Sequence, residues 1–164
     1  MPRLQPADLE LLDTASHVVS TSVDVPATRA ELWKTFVDNN TWSEWYEDCA
    51  GCDAEPDIWE ASGNTRRIRI GILRADETAV VIEPEERWGF TITATNVFLA
   101  KRMVEVVEFI DTSREGEVRT EIRWTGAFDP LFLTRPIAGL IAQRAIDAWG
   151  QSFENLSEYV AERR

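Results

Sequence analysis

The chain has 164 residues, of which 44% are hydrophobic and 28% are charged. This length is usual for one domain, and the composition excludes a disordered, a collagen-like or a disulfide-scaffold protein. Acidic residues outnumber basic residues by 29 to 17, so the net charge is −12. Because nucleic acids and anionic membrane surfaces attract basic proteins, we expect neither as a partner.

No segment approaches the roughly 18 consecutive apolar residues of a membrane-spanning helix. The N-terminal residues include Asp8, Glu10 and Asp13, where a signal peptide would carry basic and then apolar residues. We therefore expect a cytoplasmic protein without stable membrane insertion.

The first elements are an extension and a strand. Residues 1–15 carry leucines among acidic residues, and we predict that they form an N-terminal extension to a domain at 16–164. The segment from His17 to Val25 alternates in polarity and stops before Pro26, which predicts a strand.

Two helices are predicted next. Thr28 and Glu31 have the spacing of a capping box, and the apolar residues that follow share one face, so we predict a helix over 27–38. Aromatic residues three and four positions apart predict a second, short helix over 41–46.

The two cysteines, Cys49 and Cys52, form one C-x-x-C motif. A zinc site is disfavoured because His17 is the only histidine and no second pair of ligands exists. A redox C-x-x-C normally begins a helix after a strand, whereas this motif follows an aromatic helix. We expect two half-buried thiols at the start of a strand, with no metal and no cofactor.

Six further strands are predicted, separated by short turn sequences. They are 52–59, 65–73, 78–83, 88–97, 102–111 and 118–128, with turns at Gly63-Asn64, Arg74-Ala75-Asp76, Pro84-Glu85-Glu86 and Arg114-Glu115-Gly116. Connections this short require antiparallel neighbours and leave no room for crossover helices. This pattern excludes a doubly wound nucleotide-binding sheet.

A long helix is predicted from about Ile137 to the C-terminus. Its apolar residues, including Ile141, Ala145, Trp149 and Phe153, form one stripe. In the preceding strand, Thr120, Ile122 and Trp124 share one face, so the sheet has an enclosed side that the stripe can cover.

This order of elements resembles the helix-grip fold of the SRPBCC superfamily, which includes START domains, polyketide cyclases and pollen allergens. The resemblance is carried by Val23-Asp24-Val25-Pro26-Ala27-Thr28-Arg29-Ala30-Glu31-Leu32-Trp33, then Asp38 and Thr41-Trp42-Ser43-Glu44-Trp45, and near the end by Thr120-Glu121-Ile122-Arg123-Trp124 and Phe128-Asp129-Pro130. It implies an α+β fold in which a curved seven-stranded antiparallel sheet wraps around a long C-terminal helix, with two short helices after the first strand. The motif identifies the fold and is silent about the contents of the cavity.

Large aromatic rings commonly hold a hydrophobic ligand, so aromatic side chains are the first candidates for the cavity. The candidate ligand-binding residues are Trp45, Trp59, Arg69, Trp88, Phe90, Trp124 and Phe128. We expect Trp33 and Trp149 to pack in the core instead, from their places on helix stripes.

Polar residues that could act on a ligand form a second set. The candidates are Glu105, Glu108, Arg69, Tyr46 and His17. In 102–111 a glutamate falls among apolar neighbours on either face, and such a carboxyl group would have a raised pKa and could act as a general acid or base. Solvent-facing positions for Arg69 and for these glutamates are the favoured alternative.

Three functions remain open from the sequence. The first is binding of a hydrophobic small molecule, such as a polyketide, a lipid or an aromatic metabolite. The second is a polyketide cyclase or aromatase that works by orienting its substrate. The third is a co-chaperone-like domain whose acidic surface binds a basic partner. We expect a monomer or a homodimer.

Overall fold

The computed structural model describes residues 1–163. The strands are β1 (His17–Val25), β2 (Cys49–Glu55), β3 (Thr65–Ile70), β4 (Leu73–Glu83), β5 (Arg87–Thr95), β6 (Ala100–Asp111) and β7 (Thr120–Pro130). The helices are α1 (Leu11–Thr14), α2 (Arg29–Val37), α3 (Trp42–Trp45) and α4 (Ala138–Glu162), and one 3-10 turn, Arg135–Ile137, precedes α4.

All seven strands form one antiparallel sheet in the order β1-β7-β6-β5-β4-β3-β2. Hairpin connections join each strand from β2 to β7 to the next one. Strand β1 pairs with β7 and forms one edge of the sheet. The predicted α+β helix-grip architecture, with a curved sheet and a long C-terminal helix, is confirmed.

Local sequence signals explain the helices near β1. The Thr28 hydroxyl accepts a hydrogen bond from the backbone N–H of Glu31, and the Glu31 carboxylate accepts one from the backbone N–H of Thr28, which is the predicted capping box. Helix α4 is amphipathic, and its buried face, which includes Trp149, Phe153 and Leu156, packs on the sheet. No helix within residues 1–163 is long and apolar enough to cross a bilayer.

The connection between β3 and β4 differs from the prediction. The segment Arg74-Ala75-Asp76 was expected to be a turn, but it lies inside β4, and the chain instead reverses at Gly71 and Ile72. Gly71 has a φ of 52°, a left-handed conformation that glycine adopts without a Cβ penalty. As a result, β4 begins earlier and runs for 11 residues.

The cysteines lie at the start of β2, and Trp59, expected at the end of this strand, lies beyond it. A bulge between Cys49 and Gly51 interrupts the pairing with β3. In the N-terminal segment, Leu11 packs with Val104 and Ala127, whereas Leu4 donates a backbone hydrogen bond to Thr93 in β5 and packs against the main hydrophobic core. Whether 1–15 is a separable extension stays a prediction.

Candidate functional site

A cavity of about 370 Å³ lies between the sheet and α4. This volume falls in the range of about 300–1,000 Å³ that is typical of small-molecule sites. Most of its wall is apolar, with Ile92, Met103 and Phe128 from the strands and Ala145 and Trp149 from the helix. An apolar ligand can therefore replace water along this wall without leaving polar groups unpaired.

One end of the cavity is closed and polar. It is formed by Tyr46, Arg66, Glu77, Glu105 and Trp124. All five are buried, and they reach the same place from the segment after α3 and from β3, β4, β6 and β7.

Glu105 is the acid at this closed end. Trp124 Nε1 donates a hydrogen bond of 2.8 Å to Glu105 Oε2. Burial, together with the nearby Glu77 carboxylate, raises the pKa of Glu105 to about 8. At neutral pH the carboxyl group is therefore mainly protonated and can donate a hydrogen bond or a proton.

Tyr46 supplies a second donor. Burial, with a contribution from Glu105, raises the pKa of Tyr46 well above its ordinary value. The phenol therefore keeps its proton across the physiological range, so the closed end offers two neutral O–H groups.

Arg66 and Glu77 form a buried ion pair behind these groups. They face each other across β3 and β4, and Arg66 Nε donates to Glu77 Oε2 at 2.6 Å with both side chains almost wholly buried. Arg66 Nη1 donates to Asn39 Oδ1 at 3.0 Å, whereas Nη2 has no partner among the described residues. Because an isolated charge is costly to bury, Glu77 balances the permanent charge of Arg66.

Aromatic rings enclose the guanidinium group. Its Cζ atom lies 4.0 Å from the ring centroid of Trp42, 4.8 Å from Trp59 and 5.1 Å from Trp88. Cation–π attraction at these distances contributes further to holding the buried charge.

The structure separates the aromatic candidates into two groups. Phe90, Trp124 and Phe128 line the cavity. Trp45, Trp59 and Trp88 do not line it: they are fully buried in the adjacent aromatic cluster, and the last two enclose Arg66. Trp149, expected only in the core, does line the cavity and stacks on Trp124 with ring centroids 5.1 Å apart.

The polar candidates are likewise divided. Glu105 and Tyr46 face the cavity, but Arg69 and Glu108 do not line it. Arg69 pairs with Asp53 at 2.7 Å and Glu108 lies 3.8 Å from Arg123, in half-exposed pairs. Side chains alternate between the two faces of a strand, so Arg69 lies on the face of β3 that points away from the cavity, whereas Ile68 and Ile70 point inward.

His17 also lies outside the cavity lining. Its ring stacks on Phe128 with centroids 5.2 Å apart, and its Nδ1 lies 3.2 Å from the Ser16 hydroxyl. The Ser16 hydroxyl in turn donates to Asp129 Oδ1 at 3.0 Å, so a hydroxyl group holds the ring at a place outside the cavity.

Sequence reasoning missed Arg66 and Glu77. A signal was present, because Arg66 shares strand parity with Ile68 and Ile70, which were assigned to one face. Glu77 was not assigned to a strand face, because the sequence predicted a turn at 74–76 and a strand only from residue 78. The parity of β4 places Glu77 on the same face as Ala75 and Ala79.

The cysteine pair lies beside the aromatic cluster. A hydrogen bond with Cys52 lowers the pKa of Cys49 to about 7, while the same contact raises the pKa of Cys52. Cys49 is buried and Cys52 is half-buried. Residues 1–163 contain no group of three or more His, Cys, Asp or Glu side chains placed to hold a metal ion.

Solved structures of several proteins share this fold. A START superfamily protein from Mycobacterium smegmatis is 13% identical with a TM-score of 0.69, and the match covers 88% of this chain and 99% of that one. Major latex-like protein 151 from Panax ginseng is 14% identical with a TM-score of 0.71, covering 88% and 97%. A protein from Thermobifida fusca is 18% identical with a TM-score of 0.69, covering 88% and 93%. At these identities the likeness concerns the fold alone.

The sequence itself also identifies a family. No curated protein matches it significantly. Residues 16–161, however, match the family model described as polyketide cyclase / dehydrase and lipid transport. The helix-grip fold of this chain is START-like. Since the match spans nearly the whole chain, the protein belongs to the family of that model.

Proposed function

We propose that the protein binds a hydrophobic small molecule, such as a polyketide, a lipid or an aromatic metabolite, between the sheet and α4. The observation that carries this proposal is the apolar cavity of about 370 Å³ with a polar closed end. Binding is favourable because it removes the apolar surfaces of the ligand and of the cavity wall from water. A few converging polar groups then orient the ligand.

The closed end favours a ligand with an oxygen atom at one end. Glu105, when protonated, and Tyr46 both present O–H donors, which pair with a carbonyl or hydroxyl oxygen. A carboxylate ligand is less suited to this place, because Glu77 already balances Arg66 and a further negative charge would be unpaired.

Fluorescence of N-phenyl-1-naphthylamine, an uncharged aromatic probe, tests this proposal. We expect saturable binding to the wild type and at least about tenfold weaker binding to Ala145→Phe, whose ring would occupy the cavity. The matched control is Ala161→Phe, the same substitution at an exposed position of α4.

Three results would contradict the proposal: no saturable binding to the wild type, equal loss in both variants, or undiminished binding to Ala145→Phe. Circular dichroism melting of each variant separates a filled cavity from a failure to fold. A folded Ala145→Phe protein that binds the probe as the wild type does would place the probe elsewhere.

A second candidate is an enzyme of the cyclase or dehydrase type. It is favoured by the Glu105 carboxyl group, whose pKa of about 8 suits proton transfer near neutral pH. Glu105 would protonate a ligand carbonyl oxygen and Tyr46 would hold the same oxygen. With a poly-β-keto substrate, Glu105→Gln would then abolish turnover and keep probe binding, whereas a pure binding protein would show no turnover in either form.

A further inference from the structure

The loops at one end of the sheet carry exposed apolar side chains. In an antiparallel sheet alternate connections lie at the same end, which here brings together the β3–β4, β5–β6 and β7–α4 connections. The exposed apolar residues on them are Ile72, Phe98, Phe132, Leu133, Ile137 and Leu140. Ile72, Phe132 and Leu133 are 87%, 76% and 86% exposed, values that are costly in water unless something covers them.

Hydrogen bonds join these connections into one surface. The side chain of Asn96 donates to the carbonyl of Ile72 at 2.8 Å, and the Thr134 hydroxyl donates to the carbonyl of Leu99 at 2.6 Å. We call residues 71–74, 96–101 and 131–144 together the mouth surface. The cavity opens here, because Ile72 and Leu99 also belong to its lining.

The charge of the mouth surface is opposite to that of the whole chain. Its ranges contain no Asp or Glu, although acidic residues outnumber basic ones by 29 to 17 overall. They contain four exposed basic residues, Arg74, Lys101, Arg135 and Arg144, and no ion pair is found for these within residues 1–163.

Acidic residues also adjoin the mouth surface, among them Asp147, which lies one helical turn after Arg144 and accepts a hydrogen bond of 2.8 Å from Gln143. Asp48 accepts a backbone hydrogen bond from Gly71, and Asp129 is neutralised by Arg102 at 2.7 Å. Basic charge therefore remains in excess at this end. The Debye length of about 8 Å at physiological salt screens the acidic residues on the distant parts of the molecule.

The net charge of the whole chain argues against an anionic membrane as a partner, but the local charge at this end does not. We propose that the mouth surface binds reversibly to an anionic lipid bilayer. Apolar side chains flanked by basic residues match the acyl boundary and the anionic headgroups of such a surface. A symmetric dimer through the same surface would instead bring like basic charges together. The passage of a ligand between bilayer and cavity rests on the proposed function, whereas the docking itself does not.

Sedimentation with sucrose-loaded vesicles tests this inference at physiological salt, where the acidic residues elsewhere on the molecule are screened. We expect the wild type to sediment with vesicles of equimolar phosphatidylglycerol and phosphatidylcholine but not with phosphatidylcholine alone. Leu133→Ser and Arg135→Glu should each lower the partition coefficient by about fivefold or more. The control is Val118→Ser, at an exposed apolar position in the β6–β7 connection, at the other end of the sheet.

The inference is overturned if phosphatidylglycerol vesicles do not retain the protein, if phosphatidylcholine alone retains it equally, or if Val118→Ser has the same effect as Leu133→Ser. Self-association of the wild type that Leu133→Ser abolishes, without vesicle binding, would show that a second copy covers the surface. Probe binding without vesicles tests the cavity separately. Failure of the vesicle experiment therefore leaves the proposed function standing, and failure of the probe experiment leaves the membrane docking standing.

Discussion

The carboxyl group of Glu105 lies among aromatic rings, and its environment sets its chemistry. Its ordinary pKa is 4.5, and burial raises the folded value to about 8. Between these pH values the folded protein keeps a proton that the unfolded chain has released. Glu105 therefore contributes a fall in the free energy of unfolding as the pH rises from about 4.5 to about 8.

We expect Glu105→Gln to remove this decline. The slope that Glu105 contributes is at most about 1.4 kcal/mol per pH unit, and glutamine can still accept the hydrogen bond from Trp124. Urea unfolding of both proteins across this pH range measures the difference. Glu108→Gln, on the half-exposed neighbour in β6, should keep the wild-type slope. An unchanged slope in Glu105→Gln would mean that position 105 does not hold the proton.

At the scale of elements, the packing of α4 against β7 depends on one glycine. A Cβ atom at Gly126 would lie 2.8 Å from the Trp149 ring, closer than atoms can approach. Trp149 lines the cavity and stacks on Trp124, so the absence of a side chain in β7 positions a ring of the cavity wall. Gly150, in α4, has open space around its Cβ position and no such role.

Alanine at these two glycines should therefore have opposite effects. Gly126→Ala displaces Trp149 and should lower the free energy of unfolding by roughly 1–3 kcal/mol. Gly150→Ala improves helix propensity and should raise it by roughly 0.5–1 kcal/mol. Urea unfolding gives both values, and near-ultraviolet circular dichroism reports the Trp124–Trp149 stack. Equal effects of the two changes would refute this account of the packing.

At the scale of the whole molecule, the net charge of −12 opposes folding through self-repulsion. The exposed ion pairs, such as Arg67 with Asp76, stabilise by only about 0–1 kcal/mol each. Added salt weakens both the repulsion and the ion pairs. We therefore expect it to stabilise the fold more by screening the repulsion than it destabilises the fold by weakening the ion pairs.

The melting temperature should then rise as sodium chloride is added. Scanning calorimetry at neutral pH measures it, and the same series in an isosmotic concentration of an uncharged solute controls for osmotic effects. A melting temperature that falls with sodium chloride would show that the surface ion pairs outweigh the repulsion.

The sequence by itself determined the order of elements, the antiparallel sheet, the capped helix α2 and the amphipathic C-terminal helix. These features rest on short-range properties, namely turn chemistry, capping and periodicity. Alternation also placed Trp124 on the enclosed face, because strand parity depends only on neighbours along the chain. For β6 the same reasoning left a glutamate among apolar residues on either face, and it favoured a solvent-facing position for Glu105, which the structure buries.

The tertiary structure alone decided which inward residues meet. Arg66, Glu77 and Glu105 come from separate strands, and their burial depends on the register of β3 with β4 and on how α4 covers the sheet. The mouth surface likewise arises because three connections lie at one end of the sheet, and the acidic composition of the whole chain gives no sign of its local basic charge. Such contacts form between residues far apart in sequence, and no local pattern encodes them.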